Sequence, residues 1–214
     1  MQKAYNKKNG RPVLYTWDVG YLHWDEDIRN YIIEEWGSLA SFVDYISDKL
    51  TIDGKEPYIV GDFQDFGYAY IEWGGLDEKM LEMMAAFDAL TTWTGNNPPN
   101  KTVEWEEQIE FVEQNFQGYA EICQEYDVDF APRVFPGFDD RDNEHEEWSE
   151  NRFTPPSVEY FGEVIELANE YSTISHINIA TWNEWGEGHM IEPGYHMGDY
   201  FGYDYLEKIK EFLR

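Results

Sequence analysis

Five times along this chain a short apolar stretch gives way to a longer one in which apolar residues recur every three or four positions. That order constrains the fold more than any other feature. Short runs of β-branched and aromatic residues read as strands, the i, i+3, i+4, i+7 rhythm reads as amphipathic helix, and strands separated by helices imply a parallel sheet with helical crossovers. The expected strands are residues 11–17, 57–61, 87–93, 129–135 and 177–181. The expected helices are marked by Ile28, Tyr31 and Ile32, by Leu39, Phe42, Val43, Ile46 and Leu50, and by residues 76–84. A long one carries Trp105, Ile109, Val112, Phe116, Tyr119, Cys123 and Tyr126, and two more are marked by Val158, Phe161, Val164, Ile165 and Leu167 and by Leu206, Ile209, Phe212 and Leu213. Residues 96–100, Asn-Asn-Pro-Pro-Asn, form the clearest loop, and Pro155 and Pro156 stand where a helix start tolerates proline. A closed barrel of this type takes eight units and ~250 residues. Five units in 214 residues therefore predict the larger part of a (β/α)8 TIM-type barrel, one domain over residues 1–214, rather than a whole one. An open doubly wound sheet is the alternative, disfavoured because no Gly-rich phosphate turn follows the first strand. A partial barrel leaves bare edges on its first and last strands, and bare edges invite self-association.

In parallel βα folds the chemistry lies at the carboxyl ends of the strands. The last expected strand runs directly into residues 181–193, Thr-Trp-Asn-Glu-Trp-Gly-Glu-Gly-His-Met-Ile-Glu-Pro. Glu184 and Glu187, three apart with Gly186 and Gly188 beside the second, suit a tight turn that brings two carboxylates together, within roughly the 5–9 Å of glycosidase pairs. Trp182 and Trp185 offer faces on which a sugar can stack, and a wall that would raise a carboxyl pKa by burial, as a general acid requires. Asn183 can bond a sugar hydroxyl. A polar surface turn is the competing reading, and two tryptophans in a strand-end turn count against it. Asp139 and Arg141 follow the fourth strand and serve either as sugar contacts or as an ion pair fixing the loop. Asp62 and Asp65 read as a solvated acidic loop. His189 has no second His or Cys at ligand spacing, so neither a metal nor another cofactor is expected.

Charge narrows the partners. There are 44 acidic residues against 15 basic ones, a formal net charge of −29 spread along the whole chain. Nucleic acids and anionic membranes need a basic face, so neither is expected, and an anionic polysaccharide would fit poorly. Such a surface suits high salt, where self-repulsion is screened. Aromatic residues reach 18%, in keeping with a sugar-binding cleft. The single cysteine, Cys123, falls on an apolar helical position and reads as core. No signal peptide and no membrane span are visible, which gives the expectation of a soluble, cytoplasmic protein.

Residues 183–193 resemble the motif near the C-terminus of glycoside hydrolase family 99 and its relatives, the endo-α-mannosidases, endomannanases and a WbsX-like group associated with surface-polysaccharide synthesis. Three further landmarks agree in order: Gly-Arg-Pro-Val-Leu-Tyr at 10–15, Phe-Asp-Ala-Leu-Thr-Thr-Trp at 87–93, and Phe-Ala-Pro-Arg-Val-Phe-Pro-Gly-Phe-Asp-Asp-Arg at 130–141, followed by Asn151 and Arg152. These add Trp93 and Arg152 to the candidate sugar contacts. The resemblance implies a (β/α)8 barrel, of which this chain matches the later part, and cleavage of α-mannosidic bonds with retention. It implies that Glu187 is the general acid/base on the glycosidic oxygen. Glu184 would draw the proton from the sugar 2-hydroxyl, which then attacks the anomeric carbon. Gly186 departs from the pattern, which tends to have His there. Transfer in polysaccharide synthesis and a non-catalytic sugar-binding remnant are the rival implications.

Overall fold

The computed structural model describes residues 7–93, 105–139, 153–154, 156–174, 177–184, 186–196, 199–200 and 202–213. The first half contains β1 (Lys7–Lys8), β2 (Arg11–Tyr15), α1 (Tyr21–Trp24), α2 (Glu26–Trp36), α3 (Leu39–Lys49), β3 (Tyr58–Asp62), α4 (Phe66–Trp73), α5 (Glu78–Ala85) and β4 (Ala89–Thr91). Then follow α6 (Trp105–Tyr126), β5 (Asp129–Phe130), β6 (Arg133–Val134), β7 (Phe138–Asp139), β8 (Phe153–Thr154) and α7 (Val158–Tyr171). The chain closes with β9 (Asn178–Ile179), β10 (Asn183–Glu184), β11 (His189–Met190), β12 (Tyr195–His196), β13 (Asp199–Tyr200) and α8 (Asp204–Phe212).

Strands β2, β3, β4 and β5 are hydrogen-bonded in that order and run parallel. β6 continues the extended segment begun by β5 and pairs in parallel with β9. Five parallel strands thus form a curled half barrel, an incomplete (β/α)8 architecture with the unit count that the sequence predicts. Side-chain alternation sorts the strands into two faces. Ile59, Leu90, Phe130 and Val134 point outward into the large core shared with the helices. Tyr58, Val60, Ala89 and Ala131 point inward into a smaller cluster that Val13 and Tyr15 also join. Because helices cover one face and the barrel's own curve covers the other, all five positions of β3 are buried.

Local chemistry fixes where the helices start. The side chains of Asp25, Ser38, Asp77 and Ser157 accept backbone N–H groups in the first turns of α2, α3, α5 and α7. The closest helix pair is α4 against α6, where Gly67 and Gly118 let the backbones touch: a Cβ on Gly118 would lie 2.0 Å from the Gly67 carbonyl oxygen. Cys123 is buried in the outer core, as its helical position predicts.

The flanks of the half barrel differ. β1 pairs antiparallel with the start of β2, Lys7 opposite Pro12 and Lys8 opposite Arg11, so the first strand is partly covered rather than bare as expected. On the other flank, among the described residues, no strand pairs with the outer edge of β9. There Ile165, Ile177, Ile179, Ile209 and Phe212 line an apolar hollow of about 620 Å³. No described helix is long and apolar enough to cross a membrane.

Candidate active site

Alternation along the strands also sets what faces the barrel mouth. Continuing the inward rows of Tyr58 and Val60, of Ala89 and of Ala131 by two residues gives Asp62, Thr91 and Arg133, all buried. The inner rows therefore turn polar at their carboxyl ends. Arg133 Nη1 lies 2.6 Å from Asp62 Oδ2, and the Gln64 N–H donates to Asp62 Oδ1. Burial pushes the Asp62 carboxyl up while the guanidinium pulls it back. Asn178 Nδ2 donates to Thr91 Oγ1 and to the Ala131 carbonyl, each at 3.3 Å. Just beyond β2 and β3, Asp18 and Gln64 hold positive φ of 43° and 56°, unusual for residues other than glycine, and their side chains hydrogen-bond each other. Burial raises the Asp18 carboxyl as well.

After β9 the motif folds back on itself. Asn183 pairs with Met190 and Glu184 with His189 across an antiparallel hairpin, so both glutamates ride on a short loop at a strand end. Thr181 ties the base of this hairpin: its Oγ1 accepts the Glu184 N–H at 2.8 Å, and its own O–H donates to the His189 carbonyl at 2.9 Å. Gly188 has φ +63°, a conformation that disfavours any side chain. A Cβ at Gly186 would lie 3.3 Å from Glu184 Oε1, so glycine there leaves that carboxylate room. The Asp139 N–H donates to the Glu187 carbonyl at 2.7 Å, fastening the turn to β7.

Glu184 and Asn183 are exposed, and Trp182 is 50% exposed. The Glu187 side chain keeps 38% of its surface. Both carboxylates thus reach solvent, and the dry part of the described site lies beneath them, around His189. That side chain has 0% exposure, with ring centroids of Phe135, Phe138 and Trp93 at 5.2, 5.5 and 5.6 Å. Removal from water pushes the imidazole down to about 4, so it is neutral at pH 7. Its Nε2 is 3.5 Å from Glu187 Oε2.

Trp93 joins the two halves of the mouth. One of its neighbours is His189; the Arg133 guanidinium lies 5.2 Å from its ring, and Trp17, 67% exposed, is 4.4 Å away. Of the residues singled out from sequence, Glu184, Glu187, Asp139 and Trp93 share this region, with Asn183 and Trp182 on the same hairpin. Asp139 is buried. Trp185, Arg141 and Arg152 lie outside the described residues. Sequence reasoning missed Trp17, Arg133 and the aromatic packing of His189, and it read Asp62 wrongly. Asp62 is no solvated loop acid: it is 0% exposed and holds Arg133. The signal was there, since Asp62 stands two residues beyond Val60 in a strand whose even positions face inward. Among the described residues, no three His, Cys, Asp or Glu side chains converge as metal ligands.

Neither a protein-family model nor a curated protein sequence matches the chain. Solved structures do. One, a glycoside hydrolase-like protein, is 17% identical with a TM-score of 0.61, over 97% of this chain and 55% of that one. Two structures of the family 99 endo-α-mannosidase of Bacteroides thetaiotaomicron give TM-scores of 0.58 and 0.59 at 17% and 19% identity. They match 97% of this chain in both cases, and 57% and 54% of their own lengths. The chain thus spans little more than half of each of these three structures. Fold is what it shares with the glycoside hydrolase-like protein and with the family 99 endo-α-mannosidase.

Proposed function

We propose that this chain is a single partial-barrel domain carrying a glycoside hydrolase-like site for a neutral, mannose-type glycan. The observation that carries the reading is the convergence at one mouth. The Glu184–Glu187 hairpin leaves the carboxyl end of β9, while Trp93 and Arg133 reach the same region from β4 and β6. Fold likeness to an endo-α-mannosidase supports the substrate class, and the charge of −29 favours an uncharged glycan.

In this reading Glu184 takes the proton of the sugar 2-hydroxyl, whose oxygen attacks the anomeric carbon as Glu187 protonates the departing glycosidic oxygen. Glu187, now a carboxylate, takes a proton from water as that water attacks the anomeric carbon and breaks its bond to O2, while Glu184 returns its proton to O2; both glutamates are restored and the configuration is retained. Exposed tryptophan faces near the pair, Trp17 and Trp182, suit stacking against hexose rings.

The test is hydrolysis of α-mannan oligosaccharides in high salt, with products followed by NMR at the anomeric carbon. Glu187→Gln is expected to lower the rate by about 10²–10⁴-fold, the usual contribution of a general acid. Full turnover by that variant would end the assignment. A requirement for a nucleotide-sugar donor would instead mark a transferase. Binding without cleavage would mark a sugar-binding remnant.

A further inference from the structure

We infer that His189 is the positioning residue of Glu187: a buried imidazole that directs its Nε2–H at the Glu187 carboxylate and keeps it aimed into the barrel mouth. The consequence for catalysis rests on the glycosidase reading above, whereas the geometry does not.

A fully buried imidazole is expected to be hydrogen-bonded, because a polar group stripped of water and left alone is costly. Neither nitrogen of His189 has a hydrogen-bond partner among the described residues. Around the ring stand Trp93, Phe135 and Phe138, which offer no acceptor. The polar atom facing it is Glu187 Oε2, 3.5 Å from Nε2. That spacing is longer than a formed hydrogen bond, and catalytic pairs are often this loose until a substrate closes the site.

The aromatic box decides the protonation state. It holds the ring neutral, so the contact with Glu187 is not an ion pair at pH 7. A neutral imidazole carries one N–H, and with a carboxylate beside Nε2 and no hydrogen-bond partner for Nδ1 among the described residues, the proton belongs on Nε2, where the bond is charge-assisted. Among the described residues, the other charged groups here are Glu184, paired with His189 across the hairpin, Asp139 beside the stacked Phe138, and Arg133 against Trp93. Glu184 and Asp139 are acids, whose charge favours a protonated Glu187; the His189 donor opposes them.

The experiment is an NMR titration of the Glu187 side-chain carboxyl in high salt, which needs no substrate. It compares the wild type with His189→Phe, which keeps the aromatic packing, and His189→Gln, which restores an N–H donor. Removal of the donor in the Phe variant is expected to raise the Glu187 midpoint by about one pH unit, with Gln recovering most of the shift. Imidazole nitrogen shifts of the wild type should show the neutral Nε2–H tautomer from pH 8 down to about pH 5. An unchanged midpoint in the Phe variant, a Gln variant no better than Phe, or a ring protonated on the other nitrogen or titrating near 6.5 would overturn the inference. The wild-type spectra decide the tautomer even if neither variant folds. Undiminished hydrolysis by Glu187→Gln would remove the glycosidase reading and leave this titration standing.

Discussion

Taking a carboxylate out of water is costly unless a cation or hydrogen bonds compensate it, and Asp62, with 0% exposure, has Arg133 at 2.6 Å. Removing one partner strands the other charge away from water, which costs about 3–5 kcal/mol, whereas replacing both with apolar residues is often neutral. Asp62→Ala is therefore expected to be severely destabilising in urea unfolding. Asp62→Leu combined with Arg133→Met should recover most of the loss. A chain with 44 acids hides such a residue well, since nearly every acid looks like solvated surface. The glutamate pair was easier to read because tryptophans flank it. His189 carries a second residue-scale expectation. Its folded-state pKa is depressed to about 4 from 6.5, so between those values the unfolded chain binds the proton first. Its contribution is fully present above pH 6.5 and is lost as the pH falls to 4, by at most about 3 kcal/mol. Denaturant midpoints at pH 7 and 4.5 should differ less in His189→Phe than in the wild type.

At the scale of elements, the periodic helices were legible and the helix that packs most tightly was not. α2, α3, α6 and α7 all show the spacing of a helix with one apolar face. α4, Phe-Gly-Tyr-Ala-Tyr-Ile-Glu-Trp, is apolar around most of its circumference and has glycine near its start, so it shows no rhythm. Its stability comes instead from contact with α6 through Gly67 and Gly118. A methyl group on Gly118 would have to push two helix backbones apart, so Gly118→Ala is expected to cost about 3 kcal/mol, read as a lowered melting temperature. A methyl on Gly67 meets the Asn115 carbonyl at 2.0 Å and should do the same. The β10–β11 hairpin was only half legible. Gly186 and Gly188 announce a turn, but Asn-Glu and His-Met have no strand character, and Thr181 holds the ladder together through contacts that spacing cannot reveal.

For the whole molecule, five βα units and an unfinished barrel could be read from the order of apolar runs, because a parallel sheet leaves few other arrangements. Where each flank ends could not, since β1 is two lysines with no strand signature. The charge of −29 acts at this scale too. Near 10 mM salt, repulsion reaches across ~30 Å, most of the molecule, and near 1 M only ~3 Å. The melting temperature should rise steadily with KCl between those limits, and a salt-independent melt would contradict the salt-adapted reading. The outer edge of β9, unpaired among the described residues and beside Ile179 with 36% of its surface exposed, makes that dependence two-edged. The counter-ions that let one copy hold its shape also cancel the mutual repulsion that keeps two copies apart. An unpaired strand is a template for its neighbour's, so edge-to-edge assembly is the expected upper bound on the salt range that favours the folded monomer, and light scattering against KCl concentration checks it. Colloidal stability and folding stability should peak at different ionic strengths.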